Sequence, residues 1–149
     1  QRLAAQIPTY ETTVQRTNET ALQVVEYLRN HSAVREVWWS LQPATADNFR
    51  KIARRPGNIG SMVSFTLHRP LAEVYDRLPL PKGPSFGMTT TLICPFIYLA
   101  HYDLVTSEAG RQQLAAAGID PELLRLSVGT EPAEDIIAAL EEALTKEPI

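Results

Sequence analysis

The sequence predicts an α/β fold, an α+β sandwich with helices packed against a sheet of about four strands. Two observations lead to that expectation. Segments whose apolar residues recur every three or four positions alternate with short β-branched runs along the whole chain. The 149 residues, 44% hydrophobic and 21% charged, also have the make-up of one globular domain spanning 1–149.

From Thr12 to about His31, the positions Val14, Ala21, Val24, Val25 and Leu28 make an apolar stripe, predicting one long amphipathic helix. Thr12 and Gln15 have capping-box spacing, and Pro8 would help to fix the start. Val34 to Trp39 is β-branched and aromatic, a strand to pack on that helix. Asp47 to Arg55 allows a short basic helix that Pro56-Gly57-Asn58 would end. Ser61 to Leu67 alternates as a central strand, with Val63, Phe65 and Leu67 on one face and Met62, Ser64 and Thr66 on the other. Pro70 could open a helix running to about Leu78. The segment Pro79 to Pro84 is proline-rich and reads as a stiff loop.

Thr89 to Ile93 is a β-prone run closed by Cys94-Pro95, and Phe96 to Val105 is apolar without a clean period. Ser107 can cap a helix that Gly118 ends in a Schellman-type turn, with Asp120-Pro121 as a second cap. Leu123 to Val128 is the last strand. Pro132 opens a terminal helix with Ala133, Ile136, Ile137, Leu140 and Leu144 buried, and the tail from Thr145 should fray.

Fourteen Lys+Arg against seventeen Asp+Glu leave a net charge of -3. With no basic excess, neither nucleic acid nor an anionic membrane is an expected partner. No apolar stretch approaches the roughly 18 residues of a membrane span. The lone Cys94 excludes an intrachain disulfide, which with the absence of a signal-peptide pattern points to a reducing, cytoplasmic setting. The chain opens on Gln1, which allows a fragment. Only Lys51, Lys82 and Lys146 are lysines, so Schiff-base chemistry has three candidates.

His31, His68 and His101 lie too far apart for a metal site by spacing, and no glycine pattern forms a nucleotide cradle. Cys94 with His101 as base is weighed against a small buried thiol, and the second reading is preferred. Arg125 stands out. It sits between Leu124 and Leu126 in an apolar strand, where a guanidinium needs an anion, and it shares a face with Ser127. A carboxylate ligand held bidentately and a structural salt bridge both satisfy that need, and both stay open here. Ser85-Phe86-Gly87 after the proline loop could let backbone approach a ligand, or could simply turn the chain.

The segment LLRLSVGTEPAEDIIAALEEAL, from Leu123 to Leu144, resembles the C-terminal signature of the pyridoxal-phosphate-dependent Cys/Met metabolism family, which includes cystathionine γ-synthase, the cystathionine lyases and methionine γ-lyase. Upstream, SFGMTTTLICP (Ser85 to Pro95) is similar to that family's SLGGxESLxxHP segment. SMVSFTL resembles its GGMxSFEL strand, and Thr20 to Val37 its helix and following "HPAV" turn. The likeness runs from about Thr12 to Leu144 and covers the family's C-terminal domain alone, the small domain of the fold-type I transferase fold.

The resemblance implies a substrate-binding set of Arg125 for the α-carboxylate, Ser85 beside it, and Thr90 where the family often carries a glutamate linked to substrate preference. Met88 and Cys94 also depart from the pattern, so the choice among γ-synthase, β-lyase and γ-lyase is left open. In the family, pyridoxal phosphate binds a lysine of the large N-terminal domain and acts as electron sink for β- or γ-elimination or replacement. No lysine here matches that one. The resemblance therefore implies no catalytic, cofactor-binding or metal-binding residue in this chain, which alone would be inactive. Its partners would be a small amino acid, the missing N-terminal domain, and further copies in the family's tetramer. The competing reading is a free-standing α/β binding or assembly module without catalysis, which a stop codon directly upstream of Gln1 would favour.

Overall fold

The computed structural model describes residues 2–145. The chain runs α1 (Arg2–Asn30), β1 (Val34–Trp38), α2 (Ala46–Ile52), β2 (Met62–Leu67), α3 (Ala72–Tyr75), β3 (Leu92–Pro95), α4 (Phe96–Ala100), α5 (Tyr102–Thr106), α6 (Glu108–Ala116), β4 (Leu124–Ser127) and α7 (Ala133–Thr145). The strands form one antiparallel sheet in the order β1-β2-β4-β3, so β2 is central, as its alternation predicts.

Register decides which residues share a face. The pairs Val37↔Phe65, Phe65↔Leu124, Val63↔Leu126 and Ile93↔Leu126 put apolar side chains on one side of the sheet. Helices α1 and α7 cover that side with Ala21, Val24, Leu28, Ile136, Leu140 and Leu144, all buried. Each fully buried leucine there contributes about 2 kcal/mol of hydrophobic stabilisation. A smaller cluster of Ile97, Val105 and Leu114, with Phe96, Leu104 and Leu123 against it, packs α4, α5 and α6 together.

Several boundaries differ from the sequence expectation. Helix α1 begins near the N-terminus and passes through Pro8, so Thr12 caps nothing; Gln15 reaches forward to Glu19 instead, at 3.0 Å. The missing proline N–H lies on an exposed stretch, where water can meet the carbonyl it leaves. The basic helix ends at Ile52, three residues early. Helix α3 is a single turn, with Pro70 ahead of it in the turn whose carbonyl accepts from Glu73 N–H at 3.1 Å.

Strand β3 starts later than its β-prone run and includes Cys94 and Pro95. The unpatterned stretch after it is α4 and α5. Ser107 does cap α6, its Oγ accepting from Gly110 N–H at 3.1 Å, and Gly118 at φ 67° closes that helix with the paired bonds Ile119 N–H to Leu114 O and Gly118 N–H to Ala115 O. Asp120-Pro121 opens a turn, not a helix. The Asp120 carboxylate accepts from Glu122 N–H at 2.8 Å and pairs with Arg35. Helix α7 follows Pro132 with the expected buried stripe, except that Ile137 is half-buried and Ala143 is buried. Fraying beyond Thr145, and Lys146 with it, lies outside the described residues.

Candidate functional site

The sheet face opposite α1 and α7 carries a row formed by Trp38, Ser64, Arg125 and Cys94, cross-strand partners on β1, β2, β4 and β3. Beside it a cleft of about 220 Å³ opens between Trp38, Ser64, Ile119, Asp120 and Leu123. Arg125 is half-buried in this row.

Its surroundings bear on the two readings of a strand arginine. Among the described residues, no carboxylate lies within ion-pair distance of Arg125. The guanidinium is held by neutral groups. Nη2 donates to the Pro84 carbonyl at 2.6 Å, Cζ lies 4.0 Å from the Phe96 ring centroid, and the Phe86 ring is 5.7 Å away. Among the described residues the internal salt bridge is therefore not made, and the half-buried guanidinium lies on the sheet face away from α1 and α7. Ser127, on the same face, is buried with no hydrogen-bond partner for its Oγ among the described residues.

The loop that supplies Pro84 and Phe86 is tied down at its far end. Glu131 accepts from the Thr91 N–H at 2.6 Å and from the Thr91 hydroxyl at 2.8 Å. That hydroxyl accepts from Gly129 N–H at 2.9 Å, and Thr130 N–H reaches Thr89 O at 2.8 Å. Backbone comes so close at Gly129 that a methyl group there would overlap the Glu131 carboxylate and the Thr89 carbonyl oxygen. At the near end Gly83 N–H donates to Ile93 O at 3.1 Å, and Lys82 and Ile93 form an isolated parallel bridge. The stiff loop thus has one strand-like contact, which the proline count did not suggest.

Ser85 is exposed, between Pro84 and Phe86, two of the residues beside Arg125. Thr90 is exposed too, on the turn packed over Gly129. Ser85 lies on the loop whose Pro84 carbonyl meets Arg125 of β4, and Thr90 lies farther along that loop. Cys94 is 3% exposed and directly across the ladder from Arg125. Burial pushes its thiol up, and the neighbouring guanidinium draws it only part of the way back, which suits an inert thiol. His101 is exposed, its ring edge-on to Phe96 at 6.4 Å.

Lys51 is exposed on α2, and Lys82 donates to Leu78 O at 3.0 Å with its ammonium over the Tyr75 ring. No group of three His, Cys, Asp or Glu that could hold a metal occurs among the described residues. None of their helices is long and apolar enough to cross a membrane. Phe96, Glu131, Thr91 and Gly129 were not singled out from sequence. Their signals are short and unexceptional until the strand register places them.

A family model described as Cys/Met metabolism PLP-dependent enzyme matches residues 4–145. Over 142 residues the chain is 39% identical to the L-2-amino-4-chloropent-4-enoate dechlorinase/desaturase of Streptantibioticus cattleyicolor, a match covering 95% of this chain and 28% of that one. It is 33% identical over 143 residues to an L-methionine γ-lyase of Fusobacterium nucleatum, covering 93% and 34%. Among solved structures, the cystathionine γ-synthase of Xanthomonas oryzae in complex with cystathionine superposes with a TM-score of 0.76 at 27% identity, over 92% of this chain and 35% of that one. The chain spans about a third of the length of these relatives.

Proposed function

Because the chain belongs to the Cys/Met metabolism PLP-dependent enzymes, we propose that it is the substrate-carboxylate-binding C-terminal domain of a sulfur amino-acid enzyme carrying out β- or γ-elimination or γ-replacement. The family is pyridoxal-phosphate-dependent, and the named relatives include cystathionine γ-synthases and an L-methionine γ-lyase. One observation carries the finer role: Arg125 presents a charged fork on the sheet with no carboxylate of its own among the described residues.

In this reading two guanidinium N–H groups take the two oxygens of the substrate α-carboxylate, the arrangement that suits a planar fork. The Pro84 carbonyl and Phe96 ring hold the arm, while Ser85 lines the wall beside it. Thr90, an uncharged residue on the same loop, bears on which side chain is accepted. Neither lysine among the described residues fits the task of holding the cofactor. Lys51 is solvated, Lys82 is engaged by a backbone carbonyl, and neither lies among the contacts of Arg125. The reading therefore places the cofactor and its lysine on a large N-terminal domain, with further copies of the enzyme as partners.

The test is Arg125→Lys and Arg125→Ala in the complete enzyme. Loss of a bidentate, charge-assisted pair should raise KM for the amino acid about ten- to a hundredfold. Unchanged kinetics in both variants would overturn the assignment.

A further inference from the structure

Resting on the reading of Arg125 as the carboxylate arm, we propose that Phe96 is its positioning residue, holding the guanidinium in place without neutralising it. A carboxylate neighbour would also fix the arm, but it would occupy the N–H donors that the ligand needs. An aromatic face attracts the cation and leaves its in-plane donors free. The distances match that role. The Phe96 centroid is 4.0 Å from Arg125 Cζ, against 5.7 Å for Phe86, which is 66% exposed.

The ring is itself held. Cys94 pairs across the ladder with Arg125, and two residues on, past Pro95, Phe96 opens α4. The strand-to-helix turn thus delivers the ring over the guanidinium. Phe96 also meets His101 edge-on at an interplanar angle of 84° and packs against the cluster of Ile97, Val105 and Leu114. With the Pro84 carbonyl on Nη2, the arm is gripped at two points before any ligand arrives. Such preorganisation removes part of the ordering cost of binding.

The experiment measures dissociation constants by calorimetry on the complete protein, with L-methionine and L-methioninamide as probes. Phe96→Leu and Phe96→Met keep apolar bulk and remove the π face, and Phe96→Trp keeps it. Both apolar variants should weaken L-methionine about tenfold and the amide less than about twofold, with Phe96→Trp close to wild type. Combined with Arg125→Ala, Phe96→Leu should add no further loss for L-methionine. Equal losses for the two probes, or a loss that persists in the Arg125→Ala background, would mean a structural role and overturn the proposal. If Arg125→Ala weakens L-methionine while the apolar variants do not, the positioning role falls and the carboxylate arm stands. If Arg125→Ala has no effect, both fall.

Discussion

Arg125 was legible as a functional candidate because a guanidinium between Leu124 and Leu126 raises a question of charge that local sequence can pose. Its neighbours were not legible, since Pro84 lies 41 residues away and reaches it only through the fold. Glu131 and Gly129 show the same limit. Each is unremarkable in sequence, yet together they hold Thr91 and the turn at Thr89–Thr90. Gly129→Ala should therefore destabilise the protein by about 1–3 kcal/mol through overpacking against backbone, read from the shift of the urea midpoint. A midpoint within error of wild type would show that the loop relaxes freely. Thr91→Val should cost about 1–3 kcal/mol, because Glu131 and the Gly129 N–H each lose a partner in a buried setting.

Among the elements, the periodic stretches are legible in the sequence, as are the Ser107 and Gly118 ends of α6, whereas the start of α1 is not. The stripe of α1 is real, but a Thr and a Gln three apart look the same at a helix start and in its middle. Exposed residues 4–12 extend the helix beyond the part that packs on the sheet. Amide exchange should separate the two parts, with residues 4–12 exchanging at least about tenfold faster than residues 17–28. Uniform protection along α1 would contradict the packing described.

Where α1 meets α7, the Tyr27 hydroxyl donates to Glu141 at 2.6 Å, and burial together with that carboxylate raises the phenol above its ordinary value. A raised folded-state value means that the neutral phenol is favoured by folding. Its contribution is thus present below the ordinary tyrosine value of about 10 and is lost as pH rises beyond it. Unfolding midpoints should fall more steeply above about pH 10 in wild type than in Tyr27→Phe, and equal slopes would show that this contact does not contribute to stability.

For the whole molecule, the alternation of helical and β-branched stretches leads to an α/β fold, and the described residues form a four-stranded sheet with its main core under α1 and α7. The scarcity of lysine, three in 149 residues, gains meaning at this scale. Lys51 and Lys82 are placed as surface cations, so pyridoxal phosphate added to this polypeptide should leave no borohydride-fixed adduct at a single lysine. A stoichiometric adduct at one position would refute that.

Whether this sheet offers Arg125 to an amino-acid carboxylate is tested most directly by a crystal structure of the complete enzyme with L-methionine bound. Both carboxylate oxygens should lie within about 3 Å of the Arg125 guanidinium, with Phe96 still beneath it. A carboxylate held by another cation, with Arg125 turned away to a protein acid, would contradict it.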